Sequence, residues 1–530
     1  MENILPKIAI LDKRIKSFSQ GYRQNLAFLG NDKEEISYML ENYFRDLKIP
    51  NLVCIHINSS YSSPRELLKS VVFSALSNYS SRSDTIDKLI NYCGFSLTAT
   101  VELIKKLLRK DMVSFAQILE VIDTFIKESK SDCVFIIEEF LGLEKIFGNF
   151  YQEFSKFIVS QRNCVVILTS SSPQAAEKVL MSDLNLLFGN FEKIFVSESS
   201  FVDNFLYLRR TLEPLKPSPL FLSFFVNICG SSIIYYDIFA EAIKSHYRKD
   251  SEEQTIMKIL SVCLCNKETY LFQKFIGKIN LLDSKFKDTS SVIKILLALG
   301  DGYLRKKELL SLKIYNSKEL KNRLQKLIDL NFIENLGNLY RPKDLLFSFW
   351  LSTVFKLYFS PYVANQKRRE NMWIDNIYEN INLFKEEFMK DKLKKVLQLF
   401  SSFRNDTVSL GNNRYKLPLI EKAKIISYPQ ENFHLLVGEG KQIVFAGIKE
   451  QPTDDRDIFR FLEKGSNIKG KKVKKIFISL GEISLTAKVL AKNNKLITWD
   501  INEVNKLLGV YNRPMVTCNL SAEEQTQKDA

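Results

Sequence analysis

Four short apolar runs, each separated from the next by enough chain for a helix, constrain the first 200 residues of this sequence more than any other feature. Asn25-Leu-Ala-Phe-Leu29 ends at Gly30, Leu52-Val-Cys-Ile-His-Ile57 follows, and Cys133-Val-Phe-Ile-Ile137 and Cys164-Val-Val-Ile-Leu168 come after it. A strand that is apolar nearly throughout must be covered on both faces, which is the situation of a strand in a parallel sheet with helices above and below. Ser63-Pro64-Arg65-Glu66 marks the start of one intervening helix, with a cap, a first-turn proline and a glutamate placed to reach back. The expected class is therefore α/β, with a parallel-sheet domain over residues 1–200.

The pattern then changes. Residues 201–289 read as a helical lid, with helices at Phe201–Leu212 and Ser232–Ser245. Within them, Pro217–Tyr236 carries no charge and has about the 20-residue length that spans a bilayer. Ser223, Asn227, Gly230, Ser231 and Ser232 interrupt it, so two buried helices meeting at Gly230 are expected and no membrane span. In 290–350, helical patterns at Ser291-Val-Ile-Lys-Ile-Leu-Leu-Ala-Leu299, Lys306-Lys-Glu-Leu-Leu310 and from Ser317 precede two short strands around a Gly337-Asn338 turn. Three helices and a hairpin are the plan of a winged helix. Residues 351–416 read as a helical connector. Residues 417–513 read as a small second α/β domain, with strands at Phe433–Val437, Gln442–Ala446 and Lys475–Ser479. Residues 514–530 read as a flexible polar tail. A length of 530 residues agrees with three or four domains.

Charge and cysteine usage narrow the partners. The 76 Lys and Arg against 61 Asp and Glu give a net charge of +15, which favours an anionic partner, either nucleic acid or an anionic membrane surface. The eight cysteines lie mostly inside apolar runs, as reduced, buried thiols of a cytoplasmic protein do. Met1-Glu-Asn-Ile-Leu-Pro-Lys7 lacks the basic and apolar regions of a secretion signal. Cys263-Leu-Cys265 has the wrong spacing for a zinc ribbon and only three histidines exist, so no metal site is expected.

The strand ending in Gly30 is where a phosphate-binding loop would sit. Gly30-Asn-Asp-Lys-Glu-Glu-Ile-Ser37 matches Gly-x4-Gly-Lys-Ser/Thr at its first and last positions, but Glu35 stands for the second glycine and Ile36 for the lysine. That loop works by turning backbone amides and a lysine toward phosphates, and a carboxylate and an isoleucine supply neither. Lys33 is the cation left nearby. About 100 residues on, Cys133-Val-Phe-Ile-Ile137 runs into Glu138 and Glu139, the form of a second nucleotide motif in which the first acid holds the magnesium shell and the second activates water. Ser170, after the strand at 164–168, stands where a polar sensor would meet a terminal phosphate. A pair of polar residues at a strand end explains Glu138 and Glu139 equally well.

With these runs in place the chain resembles the archaeal-type ATPases of the P-loop AAA/STAND group, which share relatives with origin-recognition proteins. The residues that carry the resemblance are Asn25–Ser37, Cys133–Phe140, Cys164–Ser172, the Asn227-Ile-Cys-Gly230 junction, and Leu339-Tyr-Arg-Pro-Lys-Asp344 with Phe347-Ser-Phe-Trp350. The family's winged helix closes with a similar Tyr-x-x-x-Asp and Phe-Trp stretch, and a nuclease-like domain often follows. The resemblance implies ATP and magnesium as cofactors, with Gly30, Lys33, Ser37, Glu138 and Ser170 at the nucleotide and Glu139 as the residual catalytic acid. It also implies a restriction-endonuclease-like end, in which Gln442-Ile-Val-Phe-Ala-Gly447-Ile-Lys449 resembles the Glu-x-Lys strand. There Gly447 takes the glutamate's place, His434 and Glu439 lie upstream in place of an aspartate, and Lys449 alone remains.

The basic residues point to nucleic acid. Lys313, Lys318, Lys321, Arg323 and Lys326 face one acid, Glu319, in the third helix of the winged-helix plan and its lead-in, where DNA docking places lysine and arginine on phosphates and Asn316, Ser317 or Asn322 near base edges. A solvated or packing surface is the plainer alternative. Lys469–Lys475 forms a second basic cluster. The sequence is therefore read as an ATPase-derived protein, catalytically degenerate, that binds DNA or serves as a regulatory scaffold. The alternatives are an ATP-binding switch with an unusual loop and an assembly scaffold, with a protein partner or a second copy in place of DNA.

Overall fold

In the computed structural model, which describes residues 5–30, 32–59, 63–185, 190–196, 199–358, 366–410, 413–465 and 473–516, each apolar run is a strand. The chain divides into two units, Met1–Ser199 and Ser200–Ala530. In the first, β1 (Asn25–Gly30), β2 (Leu52–Asn58), β3 (Asp132–Glu138), β4 (Cys164–Ser170) and β5 (Phe191–Val196) form one sheet in the order β2-β3-β4-β1-β5. Every neighbouring pair is parallel. Strands β1 and β4 lie inside the sheet and are buried along their whole length, whereas β2, at an edge, alternates. Ala27, Ile55, Phe135 and Val166 of one face pack into a single core with Leu68, Ile118 and Phe125 of the covering helices. Ser63 caps the helix Pro64–Ser80 by accepting from the Glu66 amide at 3.3 Å, as its four-residue signature requires.

Strand β5 carries no apolar run. Phe-Glu-Lys-Ile-Phe-Val sits at the other edge, where its charges find partners outside the sheet: Glu192 pairs with Arg14 at 2.7 Å and Lys193 with Glu177 at 2.8 Å. An edge strand needs one covered side only, so its sequence tolerates them.

The second unit opens with helices Phe201–Thr211, Pro219–Cys229, Ile233–His246, Glu252–Leu260 and Tyr270–Lys285. The uncharged stretch is two helices that break at Gly230, whose φ of 66° is in the left-handed region. Among the described residues no helix is long and apolar enough to cross a membrane. Helices Thr289–Gly300, Lys306–Ser311 and Ser317–Asp329 follow, then an antiparallel pair, β6 (Ile333–Asn335) and β7 (Tyr340–Pro342). Phe225, Phe239, Phe275, Leu296, Leu324, Trp350 and Trp373 belong to one hydrophobic core. The segments 201–289, 290–350 and the first helices after 350 therefore have no separate cores.

Residues 351–416, expected as a helical connector, are helical in their described part only as far as Ser401. The stretch then turns into a hairpin of β8 (Asp406–Leu410) and β9 (Asn413–Leu417). The reason lies in the register. Thr407, Ser409, Arg414 and Lys416 face outward between Val408, Tyr415 and Leu417, a period-two pattern too short and too polar to stand out. The final sheet has the order β10-β11-β12-β13-β14: β10 (Lys422–Tyr428), β11 (Phe433–Glu439), β12 (Ile443–Lys449), β13 (Val473–Ser479) and β14 (Ile497–Trp499). Its first three strands are antiparallel and its last three parallel. Residues 517–530 lie outside the described residues.

A buried ion pair joins the β6–β7 region to the β8–β9 hairpin. Arg305 grips Asp406 with two hydrogen bonds, Nε at 2.8 Å and Nη2 at 2.7 Å, and Tyr511 Oη and the Arg404 amide donate to the same carboxylate at 2.8 and 3.0 Å. The turn between β6 and β7 is held as well. Asn338 N donates to Thr407 O at 3.0 Å and Thr407 N to Asn338 Oδ1 at 2.8 Å. Gly337, at φ 96°, approaches so closely that a Cβ there would meet the Thr407 carbonyl oxygen at 2.1 Å.

Candidate functional site

In an open parallel sheet, ligands bind outside the carboxyl ends of the strands, and the sequence-expected nucleotide residues lie there: Gly30 ends β1, Glu138 ends β3 and Ser170 ends β4. Two residues separate β1 from the next helix, Lys33–Asp46, which begins at Lys33. Asp32 caps that helix, its Oδ1 accepting from the amides of Glu34 at 2.9 Å and Glu35 at 3.2 Å. These are first-turn amides, the donors a phosphate would use. Gly30 has its own structural reason: a Cβ would meet the Val196 carbonyl oxygen of β5 at 2.7 Å. Ile36 is core, and the buried Glu35 carboxylate faces Lys7, whose ammonium is lowered in pKa by burial with Glu35 working the other way.

Lys33, Ser37 and Glu138 converge. Lys33 Nζ donates to Asn58 Oδ1 at 3.4 Å, and Asn58 Nδ2 donates to Glu138 Oε2 at 3.0 Å. The other carboxylate oxygen, Oε1, lies 2.9 Å from His56 Nε2. Burial pushes the Glu138 carboxyl up, but hydrogen bonds from His56 and Ser37, with the charges of His56 and Lys33, outweigh it and hold the group below its ordinary value. Glu138 is thus kept ionised at the end of β3 by side chains from β2 and from the helix Lys33–Asp46.

Glu139 points elsewhere. Its backbone is left-handed at φ 51°, and its carboxylate accepts from Ser171 N at 2.6 Å and Ser171 Oγ at 3.0 Å. Its amide donates to Thr169 Oγ1 at 3.2 Å and its carbonyl accepts from Ser59 Oγ. Ser170 is fully buried, and its hydroxyl accepts from the Ser172 amide at 3.1 Å. Sequence reasoning missed Asp32, His56, Asn58 and Ser171. Asp32 carried a signal, because an aspartate followed by Lys-Glu-Glu is a helix start. His56 and Asn58 sit two apart on one face of β2, and that period identifies them only once the sheet order is known.

On β12, a Cβ at Gly447 would meet Phe461 at 2.7 Å and Phe433 and Phe477 at 3.0 Å. The position looks into a packed aromatic cluster. Lys449 donates to the buried Asp457 carboxylate, which also accepts from the Asp454 amide at 3.1 Å. His434, on β11, lies 2.9 Å from Ser427 Oγ, and Glu439 ends that strand opposite Lys422. Among the described residues no group of three or more His, Cys, Asp or Glu is arranged to hold a metal ion.

The helix Ser317–Asp329 buries Leu320, Leu324 and Leu327 at i, i+4 and i+7 and exposes Lys318, Lys321, Asn322 and Gln325 on the opposite face. Asn316 caps it, accepting from the Lys318 and Glu319 amides. Lys313 is exposed in the lead-in at φ 54°. Arg323 and Lys326 are on a different flank. The Arg323 guanidinium lies 5.6 Å from the ring centroids of both Phe286 and Tyr315. Lys326 Nζ lies 4.7 Å over Phe286 and donates to the Lys285 carbonyl. The structure therefore divides the five basic residues into an exposed three and an aromatic-bound two. Of the second basic cluster, Lys469–Lys472 lie outside the described residues, and Lys474 donates to the Lys416 carbonyl beside a recess of about 430 Å³.

No family model and no curated protein matches the chain. Among solved structures it is similar to the Walker-type ATPase PABY2304 of Pyrococcus abyssi, at 14% identity and a TM-score of 0.43 over 66% of this chain and 95% of that one. It is similar to the ORC2 protein of Aeropyrum pernix in its ADPNP–ADP complexes, at 10% identity and a TM-score of 0.36 over 70% and 92%. The ORC1 protein of Aeropyrum pernix in complex with DNA matches at 10% and 0.36 over 66% and 91%. The α/β class rests on the sheet order and strand directions given above.

Proposed function

We propose that this chain is a non-hydrolysing relative of P-loop ATPases that acts by binding duplex DNA through a winged helix. The observation that carries the reading is the exposed face of Ser317–Asp329. Lys318 and Lys321 have no ion-pair partner among the described residues and sit beside Asn322 and Gln325, which combines phosphate-binding cations with side chains able to read base edges.

The non-hydrolysing reading is supported by what the nucleotide residues already bind. Asp32 holds two first-turn amides, Glu138 has both oxygens on His56 and Asn58, and Glu139 has both on Ser171. A triphosphate would have to displace a carboxylate from the helix start and pass Glu34 and Glu35, and magnesium would have to break buried hydrogen bonds, so ATP and magnesium do not fit this arrangement. The wing differs from a free one. Its tip at Gly337 and Asn338 is bonded to β8, so the helix alone is presented to the groove.

The test is fluorescence anisotropy of a mixed-sequence duplex across a salt series, paired with calorimetric titration of magnesium ATP. The reading expects salt-dependent DNA binding and no nucleotide heat. Convergence of Lys33, Ser37 and Glu138 favours the ATP-switch alternative, and micromolar ATP binding abolished by Glu138→Ala would overturn the reading that nucleotide does not fit. Absence of DNA binding at low salt would overturn the DNA reading and leave a protein-assembly scaffold.

A further inference from the structure

The turn that joins helices Ile233–His246 and Glu252–Leu260 gathers basic side chains around a recess that shares no residue with the DNA-facing helix or with the strand ends of the first unit. The recess has a volume of about 340 Å³, and its lining includes His246, Arg248 and Lys258 together with Ser251, Gln254 and Thr255. No carboxylate lines it. Of the acids next to it in the chain, Asp250 of the same turn is outside the lining, and Glu252 is held by Ser218, whose amide donates to it at 2.8 Å, and by Tyr247 Oη at 2.7 Å. His246, Arg248 and Lys258 have no ion-pair partner among the described residues.

The turn is built to hold its shape. Thr255, itself buried, accepts from the Arg248 amide at 3.2 Å and donates to the Ser251 carbonyl at 3.0 Å, so the backbone from which Arg248 projects is pinned to the next helix. Ser251 precedes that helix without making a side-chain capping bond, which leaves a hydroxyl at the recess beside the positive end of the helix. Cations gathered with no acid repel one another, and a bound anion removes that cost.

We propose that this recess binds the terminal phosphate of a small phosphorylated molecule. An arginine fork and a lysine lining one recess match a phosphate's several oxygens. A recess favours a terminal group, which enters end on, over a backbone phosphodiester, which carries a sugar on each side. The site is independent of the DNA reading.

Inorganic pyrophosphate titrated calorimetrically into the full-length chain tests the proposal. Binding is expected, weakened about tenfold or more by Arg248→Met and again by Lys258→Met, as loss of one charge-assisted hydrogen bond requires. Both side chains are exposed, so folding should be unchanged, and tryptophan fluorescence of the second unit checks it. Arg248→Lys, which keeps the charge and loses the fork, should fall between. No binding up to about 1 mM pyrophosphate, or binding unchanged in the double variant, overturns the proposal. So does displacement of pyrophosphate by a dinucleotide that has only an internal phosphodiester, if a nucleoside 5′-monophosphate fails to displace it.

Discussion

The division of the basic residues on and before Ser317–Asp329 into three exposed and two aromatic-bound makes a quantitative prediction. Each lysine that neutralises a DNA phosphate contributes about 0.9 to the slope of log affinity against log salt. Lys313, Lys318 and Lys321 are exposed, so replacing all three should lower the slope by about 2.7, which across a fourfold rise in salt amounts to about 40-fold in affinity. Lys318→Ala and Lys321→Ala leave the helix intact, because alanine is the best helix former. Lys313 has a positive φ of 54°, so asparagine, which tolerates that region, is the replacement there.

Arg323→Ala with Lys326→Ala is the contrast. These side chains lie over Phe286 and Tyr315, so the pair should change the slope by less than about 0.9 in total. Its cost should appear in stability instead, at about 0.5–1 kcal/mol for each lost cation–aromatic contact. Anisotropy on one duplex at five salt concentrations, alongside urea unfolding, separates the two effects. If the arginine variant loses the larger slope, or if the triple variant keeps the slope of the parent chain, DNA does not sit on this face and the reasoning fails.

The remaining predictions concern the second unit. Asp406→Ala removes the acceptor of Arg305, Tyr511 and Arg404 and should destabilise the second unit by about 3 kcal/mol, the low end for a broken buried pair because Glu308 still holds Arg305. All three tryptophans, Trp350, Trp373 and Trp499, are in this unit, so their fluorescence in urea reports it, and a loss under about 0.5 kcal/mol would refute the role given to the pair. Burial raises the Asp344 and Asp406 carboxyls, but Lys278 and Arg305 respectively, with further hydrogen bonds, outweigh it and hold both below their ordinary 3.8. A depressed folded-state pKa gives stability that is complete above the unfolded value and is lost as pH falls through the folded one. The unit should therefore hold its urea midpoint down to about pH 4 and lose it below, and a midpoint already falling between pH 7 and 5 would count against these two groups. Gly447→Glu, which places the acid of a Glu-x-Lys pattern two residues before Lys449, should yield no magnesium-dependent cleavage of plasmid DNA and should lower the melting temperature, since its Cβ would meet Phe461 at 2.7 Å. Cleavage by that variant would sink the structural reading of position 447.

Much of the fold was legible because it is written in local patterns. The four apolar runs became β1 to β4, and the glycine at 230 ended the helix it was expected to end. Strand β5 and the β8–β9 hairpin were not legible, because an edge strand and a short hairpin take their definition from partners distant in the chain: Glu192 from Arg14, and Thr407 from Asn338. The candidate sites divide in the same way. Glu35 and Ile36 visibly fail the phosphate-loop pattern in the sequence, but that Asp32 takes the amides depends on the helix starting at Lys33. The exposure of Lys318 and Lys321 follows from the leucine spacing alone, whereas the withdrawal of Arg323 and Lys326 depends on Phe286, roughly forty residues away.

The surroundings of Glu138 and of Gly447 differ in physical character. A buried carboxylate stays ionised only where hydrogen bonds and cations surround it, and Glu138 has them from His56, Asn58 and Ser37. Those partners are side chains, so a ligand there would have to replace their hydrogen bonds but not those of the sheet. At position 447 there is no acid, and Phe433, Phe461 and Phe477 close over the backbone. Reopening that position means repacking a core, which costs a substantial fraction of a domain's stability. The first unit therefore has a polar centre at its strand ends, while position 447 of the second is part of a packed aromatic core. That asymmetry makes the response of Glu138→Ala to ATP an informative result about this chain, and the inertness of Gly447→Glu an expected one.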